Sequence, residues 1–182
     1  MRTIELLPDP VSSRLVREAW ERLAAAGLPS QAGHRHPTNR PHLTLATCDD
    51  LPAPVWTRLA RVLSVPPPPL RVTALHRYEG RVRVLVWRLD PDPALLAVHA
   101  AVWRLLGAAP GTGRLNPLHR PGAWDPHLTL ARSRDRAQDW TGAEDVLDGA
   151  LPAPGSFTEA RSYDSGTRTA HPLGSWTGRS CI

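Results

Sequence analysis

The hexapeptide PHLTLA occurs twice in the sequence, at residues 41–46 and 126–131, with the two copies 85 residues apart. Each copy carries a histidine followed two residues later by a threonine, namely His42 with Thr44 and His127 with Thr129. Because side chains alternate between the two faces of a β-strand, each histidine shares a face with its threonine and the leucines occupy the other face. The repeat therefore predicts two strands that are anchored in a core by leucines and present a His–Thr pair on the opposite face.

Two imidazoles on either side of a small ligand suit the cleavage of a phosphodiester. If the two halves of the chain pack about a pseudo-twofold axis, His42 and His127 face each other across a cleft. One neutral histidine then accepts a proton from the attacking oxygen, and one protonated histidine gives a proton to the leaving oxygen. Both forms are accessible near neutral pH, because an unperturbed imidazole titrates near about 6.5. The hydroxyls of Thr44 and Thr129 can bind the non-bridging phosphate oxygens, and such a site needs no metal and no cofactor.

Alternating strands and helices surround both copies of the hexapeptide. Helices are predicted at residues 14–26, 53–63 and 93–106, with a weaker one at 137–148. Strands are predicted at residues 2–7, 42–47, 70–77, 81–89, 127–132, 156–163 and 169–176. Tight turns such as Glu79-Gly80 favour antiparallel pairing over a doubly wound parallel sheet. We expect an α+β fold with mainly antiparallel sheets and flanking helices, built as a two-lobed pseudo-symmetric duplication with a central cleft, in which residues 1–182 form a single domain.

Paired H-x-T-x motifs about half a chain apart resemble those of the two-histidine (2H) phosphoesterase superfamily. The nearest likeness is to the bacterial 2′-5′ RNA ligase-like proteins and RNA 2′,3′-cyclic phosphodiesterases, through the opening strand and the segments RHPTNRPHLTLA and PGAWDPHLTLAR. The resemblance implies a two-lobed fold and hydrolysis of a nucleoside or RNA-terminal 2′,3′-cyclic phosphate to the 2′-phosphate. It also implies that His42 donates a proton to the leaving oxygen and that His127 activates water, with the roles exchanged in 2′-5′ ligation.

Two further residues are candidates for binding the substrate. Arg132 follows the second motif, at a position where the 2H phosphoesterases that the sequence resembles often have a phosphate-binding arginine. Strand alternation places Arg132 on the leucine face unless the strand ends or bulges near Ala131. Trp124 precedes the second motif and either stacks on a nucleobase or closes its loop over the core. Tyr78 and Trp176 present the same two alternatives.

The basic loop before the first motif allows three interpretations. His34, Arg35, His36 and Arg40 form a substrate-facing basic loop, part of a metal site with His42, or a solvated loop without a role in the site. Zinc sites normally draw on carboxylates or thiolates as well, and the nearest acids, at 49 and 50, show no recognisable spacing. His119 and Arg120 precede the second motif in a similar place. We expect no metal, and we keep a non-catalytic RNA-binding module and, third, a metal-dependent hydrolase as alternatives to the phosphodiesterase.

Composition limits the class of protein. The chain has 182 residues, is 41% hydrophobic and has a net charge of +5, which permits an RNA or nucleotide partner without requiring one. No apolar run approaches the roughly 20 residues that a membrane helix requires, and the N-terminus lacks the features of a secretory signal. The two cysteines, Cys48 and Cys181, do not make a disulfide framework. We expect a cytoplasmic monomer with no membrane association.

Overall fold

The computed structural model describes residues 1–34, 36–135, 137–147 and 151–176. Arg35 of the basic loop, Asp148 at the end of the predicted fourth helix and Cys181 lie outside the described residues. The strands are β1 (Arg2–Pro8), β2 (Leu43–Cys48), β3 (Val72–Tyr78), β4 (Arg83–Leu89), β5 (His127–Ser133), β6 (Phe157–Asp164) and β7 (Thr169–Ser175). The helices are α1 (Pro10–Ala25), α2 (Ala53–Val62), α3 (Pro93–Ala108) and α4 (Ala143–Val146).

Within the described residues, the strands form one sheet in the order β3-β4-β5-β2-β1-β6-β7, and each neighbouring pair is antiparallel. Apart from β7, the order is symmetric about the junction of β5 and β2, because β4-α3-β5 repeats β1-α1-β2 and β3 matches β6. The strands β2 and β5 are paired only at Leu43 and Leu128, so the junction between the two halves is narrow. The α+β fold and the antiparallel pairing are confirmed, and the two halves share one sheet because their motif strands pair with each other.

The two helices that precede the motif strands begin in the same way. Asp9 accepts a hydrogen bond from a backbone N–H of the first turn of α1 at 2.8 Å, and Asp92 does so for α3 at 2.7 Å. In both helices a proline, Pro10 or Pro93, takes a first-turn position where it removes no helical hydrogen bond. The aspartate cap explains why α1 begins earlier than predicted. Across the described part of the chain, no helix is both long enough and apolar enough to span a bilayer.

Helices α1 and α3 cover the leucine face of the sheet, which we define as the face carrying the leucines of the two hexapeptides. Those leucines are at most 1% exposed, and they lie in one core with residues of both helices: Leu43, Leu45, Leu128 and Leu130 with Trp20, Leu23, Val102 and Leu106. Each fully buried leucine contributes roughly 1.5–3 kcal/mol of hydrophobic stabilisation. This packing leaves the opposite face, the histidine face, free of these helices.

The fourth helix is much shorter than predicted. Asp139 accepts hydrogen bonds from Thr141 N at 2.8 Å and Thr141 Oγ1 at 2.6 Å, which is turn geometry. Gly142 follows with a φ of 83°, in the left-handed region that glycine adopts without steric strain. The helix therefore begins only at Ala143 and ends at Val146.

Candidate active site

The two His–Thr pairs meet where β2 and β5 adjoin. Antiparallel pairing of Leu43 with Leu128 sets His42 opposite Thr129 and His127 opposite Thr44. His42 and His127 thus lie on a diagonal of an antiparallel pair, where residues are separated by about 7–8 Å. The His42 side chain is 33% exposed, which makes this position accessible from solvent.

Both imidazoles are held by the same hydrogen bond. His42 Nδ1 lies 2.8 Å from Arg40 O, and His127 Nδ1 lies 2.7 Å from Asp125 O. Because a carbonyl oxygen only accepts, each Nδ1 carries a hydrogen and donates it. In the neutral ring this places the lone pair on Nε2, so each histidine presents Nε2 for proton transfer.

The two motif strands contain the same irregularity. There is one extra residue at Leu45 relative to β1, and one at Leu130 relative to β4. A bulge of this kind moves the following side chains to the other face of the strand. Thr47 and Arg132 therefore lie on the histidine face, which meets the condition that the sequence set for Arg132.

The surroundings of His127 favour its neutral form. Burial lowers the pKa of His127, and although Asp125 acts in the opposite direction, the positive charges of Arg132 and His42 lower it further. At neutral pH His127 is therefore available to accept a proton.

A third histidine, His119, lies beside the second motif. Its Nδ1 is 3.2 Å from Thr47 Oγ1, and its backbone carbonyl lies 2.8 Å from His99 Nε2. Burial lowers the pKa of His119 to about 4, and the charges of His127, His99 and Arg132 add to the effect. The sequence placed His119 only in a basic loop, whereas the fold brings it to the histidine face as a neutral group.

A buried ion pair that we did not predict from the sequence lies next to the first motif. Arg161 Nε donates to Glu5 Oε2 at 2.7 Å, and the two side chains are 7% and 1% exposed. Glu5 Oε1 is 3.8 Å from His42 Nε2. The available signal was weak: Thr3 and Glu5 are polar residues two apart in an otherwise apolar strand, which places them on one face.

Asp125 connects the second motif to its neighbouring strands. Its carbonyl accepts from His127, and its carboxylate accepts from the Tyr78 hydroxyl and from Arg88, whose Nε lies 3.1 Å from Oδ2. The Tyr78 ring packs beside the His127 ring with a centroid separation of 5.3 Å and an angle of 58°. Burial and the hydrogen bond to Asp125 raise the pKa of Tyr78, so its hydroxyl stays protonated. Tyr78 thus supports the His127 ring.

Trp124 lies in the core and not at the surface of the site. Its side chain stacks on the His99 ring at 3.9 Å with an angle of 2°, and its indole Nε1 donates to Thr44 O at 2.9 Å. Trp20 of α1 donates in the same way to Thr129 O at 3.0 Å. Trp124 is only 9% exposed, which favours the second of its two predicted roles, closure of the loop over the core, over stacking on a nucleobase. Trp176 is also buried.

A cavity of about 430 Å³ adjoins His42 on the side of β6. Its walls come from the basic loop, from β6 and from the turn after β6, and include His34, His36, Asn39, Arg161, Tyr163 and Arg168. Asn39 Nδ2 fixes the loop by donating to Gln31 O at 3.1 Å and to His34 O at 2.8 Å. Among the described residues, no three His, Cys, Asp or Glu side chains are grouped so that they could hold a metal ion. Three residues of the basic loop, His34, His36 and Asn39, line this cavity.

Solved structures share the fold over nearly the whole chain. Escherichia coli LigT complexed with 3′-AMP is 20% identical with a TM-score of 0.53, over 96% of this chain and 95% of that chain. A structure described as a phosphoesterase is 20% identical with a TM-score of 0.55, over the same shares. Usb1 of Kluyveromyces marxianus is 14% identical with a TM-score of 0.52, over 94% of this chain and 96% of that chain. No match was found among curated proteins.

A family model gives a closer assignment than these distant structures do. The model of the 2′-5′ RNA ligase superfamily matches residues 8–164, which contain both His-x-Thr motifs and the junction between them. The matched region also contains the two bulges and Arg132. The chain therefore belongs to the 2′-5′ RNA ligase superfamily, a superfamily of two-histidine phosphoesterases.

Proposed function

We propose that the protein is a metal-independent phosphodiesterase that hydrolyses a nucleoside or RNA-terminal 2′,3′-cyclic phosphate to the 2′-phosphate. The observation that carries the proposal is the matched pair of imidazoles. Each donates from Nδ1 to the backbone carbonyl two residues earlier, and each presents Nε2 at the junction of the two halves. General acid–base catalysis by two such groups contributes typically about 10²–10⁴-fold for each proton transfer.

The reaction requires two proton transfers in opposite directions. His127 Nε2 accepts a proton from water as the water oxygen bonds to phosphorus. The bond from phosphorus to O3′ breaks, and O3′ takes the proton from His42 Nε2. The lowered pKa of His127 suits the first role, and the carboxylate of Glu5 at 3.8 Å makes an ion pair with the protonated ring that the second role requires. With the 5′-hydroxyl of a second RNA end in place of water, the same two transfers would form a 2′-5′ linkage: His127 accepts the proton of that hydroxyl, and O3′ leaves with the proton of His42.

Hydroxyl and guanidinium groups surround the expected position of the phosphate. Thr44 and Thr129 share the histidine face with the two imidazoles, and Arg132 joins them because of the bulge in β5. In the transition state, negative charge grows on the non-bridging oxygens, and preorganised donors there stabilise it. These three residues are the proposed phosphate-binding groups.

The cavity beside His42 supports a nucleotide substrate. The leaving oxygen belongs to the ribose, so the ribose and its base lie on the side of the proton donor. The 430 Å³ cavity is on that side, within the range of small-molecule sites, and Tyr163 offers it an aromatic ring. The LigT and Usb1 structures with 3′-AMP and uridine monophosphate agree with a nucleotide ligand.

The test is turnover of a panel of 2′,3′-cyclic nucleotides and cyclic-phosphate-ended RNA, with the product identified by ³¹P NMR and with EDTA present and absent. The His42→Ala and His127→Ala variants should each lower kcat by about 10²–10⁴-fold while remaining folded. The matched control is His171→Ala, which removes an exposed imidazole of β7. Full activity in either catalytic variant contradicts the proposal. Binding of RNA without turnover would favour the non-catalytic module, and inhibition by EDTA would favour a metal-dependent hydrolase.

A further inference from the structure

The two halves differ in charge at one position beside each motif. Glu5 of β1 is paired with Thr44, and Val86 of β4 is paired with Thr129. Glu5 and Val86 each lie directly next to the bulge of the neighbouring motif strand, so they occupy equivalent positions in the two halves. Val86 is fully buried and apolar, as is usual inside a sheet, whereas Glu5 is a buried carboxylate. A group that is this unfavourable to bury calls for a physical reason.

The Glu5 carboxylate is fixed and ionised. Oε2 accepts from Arg161 Nε at 2.7 Å, and Oε1 accepts from Thr3 Oγ1 at 2.5 Å. Burial alone would raise the pKa of Glu5, but the charges of His42 and Arg161 and these hydrogen bonds lower it below its ordinary value. Arg161 is itself held by a bond from Nη2 to Thr38 O at 3.0 Å. The negative charge therefore has a defined place on the histidine face.

The two histidines consequently face different sets of charged groups. Those around His42 are Glu5 from β1, Arg161 and Tyr163 from β6, Arg168 from the turn after β6, His127 from β5, and His34 and His36 from the basic loop. Those around His127 are Arg132 from its own strand, His42, His119, Tyr78 from β3, and Asp125, whose carboxylate is bound by Tyr78 and Arg88. An anion close to Nε2 is thus a feature of His42. At 3.8 Å, Glu5 acts on this ring through space, because the separation exceeds that of a hydrogen bond and leaves the Nε2 proton free for transfer.

We propose that Glu5 is a positioning residue that keeps His42 as the proton donor and thereby sets which of two matching histidines is acid and which is base. The proposal rests on the proposed function for its catalytic meaning. In the forward reaction the proton leaves His42 Nε2 for O3′ as the bond to phosphorus breaks, and the proton of water goes to His127. Glu5 keeps its own charge throughout and makes no bond to substrate.

The decisive variant is Glu5→Gln, which has the same shape and removes only the charge. The interaction of two unit charges at this separation, taken between the dielectric constants of water and of a protein surface, corresponds to about one to three pH units. The alkaline limb of the pH profile of kcat/KM should move to lower pH by that amount, while the acid limb, which reports His127, stays in place. Glu5→Asp, which retains the charge, should restore most of the alkaline limb. The matched control Glu159→Gln, which neutralises a partly exposed carboxylate of β6, should leave both limbs in place.

A purely structural role for Glu5 predicts a different result. In that case Glu5→Gln lowers the rate at every pH and neither limb moves, and this outcome overturns the proposal. Because the variant leaves Arg161 without its buried partner and can fail to fold, a second measurement uses the unaltered protein. Histidine ¹⁵N chemical shifts followed through a pH titration should show that His127 loses its proton at lower pH than His42, and the reverse order overturns the proposal. This titration needs no substrate, so it distinguishes failure of the inference from failure of the proposed function.

Discussion

The ion pair between Glu5 and Arg161 predicts that one single substitution is far more damaging than the double substitution. The two charges are 2.7 Å apart and almost fully enclosed. Arg161→Met leaves the carboxylate buried without this cation and also removes the bond to Thr38 O. We expect a loss of about 3–5 kcal/mol in the free energy of unfolding near neutral pH, because a buried charge without its partner is strongly unfavourable. The double variant Glu5→Leu/Arg161→Met removes both charges and should stay within about 2 kcal/mol of the unaltered protein.

The loss of unfolding free energy in Arg161→Met should also depend on pH, and the ionisation of Glu5 determines the direction of that dependence. In the unaltered protein the pKa of Glu5 is lowered, so this group stabilises the fold above the ordinary carboxyl pKa and less as the pH falls through the lowered value. In Arg161→Met, the Glu5 carboxylate stays buried but has lost the cation that stabilised its negative charge. Protonation of Glu5 removes this buried charge and therefore favours the folded state. The difference from the unaltered protein should therefore be larger near about pH 7 than near about pH 4.

Urea denaturation followed by tryptophan fluorescence at both pH values measures these free energies. The matched control is Arg40→Met, because Arg40 also makes two bonds to a carboxylate, that of Glu159, but the two side chains are 35% and 44% exposed. Exposed pairs contribute about 0–1 kcal/mol, so the control should lose little. The reasoning fails if Arg161→Met loses no more than the control, or if the double variant loses as much as the two single variants combined.

Three further predictions concern Arg132, His119 and Trp124. Arg132→Ala should lower kcat/KM by about 10²–10³-fold in steady-state assays, whereas Arg134→Ala, exposed just beyond the end of β5, should have little effect; equal activity in both would remove Arg132 from the site. Because burial lowers the pKa of His119 to about 4 from an ordinary 6.5, the unfolded chain binds the extra proton between these values and stability falls as the pH falls through that range. In His119→Asn, the free energy of unfolding, measured by urea denaturation, should change less with pH over this range. The pH-dependent part that is lost should be at most about 3 kcal/mol, since the ring is partly exposed. Trp124→Phe should lower the free energy of unfolding by about 1–3 kcal/mol through the unsatisfied Thr44 O and leave KM unchanged; a raised KM with unchanged stability would restore the base-stacking role.

The repeated hexapeptide was sufficient to predict the centre of the fold, because strand alternation is a local property of the chain. Leucines packed inward and His–Thr pairs facing outward follow from period-two geometry alone, and both features are present at Leu43 and Leu128. The sequence could not decide which face of β5 carries Arg132, since the answer depends on a bulge that forms where β5 pairs with β4. A register shift between two strands belongs to the pair and has no dependable signature in either strand.

The residues that the sequence did not single out act through long-range contacts. Glu5 and Arg161 are 156 positions apart and gain their meaning only when β1 and β6 become neighbours. Trp124 could be read as a base-stacking residue because it adjoins the motif in sequence, yet His99 of α3 covers its ring. The shortened fourth helix has a local cause in Asp139 and Gly142, so turn chemistry in the sequence could have predicted it.

The fold brings the two identical hexapeptides together, but the acid and the base of the proposed reaction must differ. The hexapeptides cannot supply the difference, because their histidines have the same sequence neighbours and the same Nδ1 hydrogen bond. The difference must therefore come from positions outside the repeat. Glu5 places a negative charge in one half where Val86 is apolar, and Arg132 places a positive charge in the other half where Thr47 is neutral. The two changes act in the same direction, since an anion favours the protonated form of a nearby imidazole and a cation favours the neutral form. Reversing the charge at Glu5 should therefore move the limb of the pH profile that reports His42, and reversing the charge at Arg132 should move the limb that reports His127. Changing Thr44 or Thr129 should lower the rate without moving either limb.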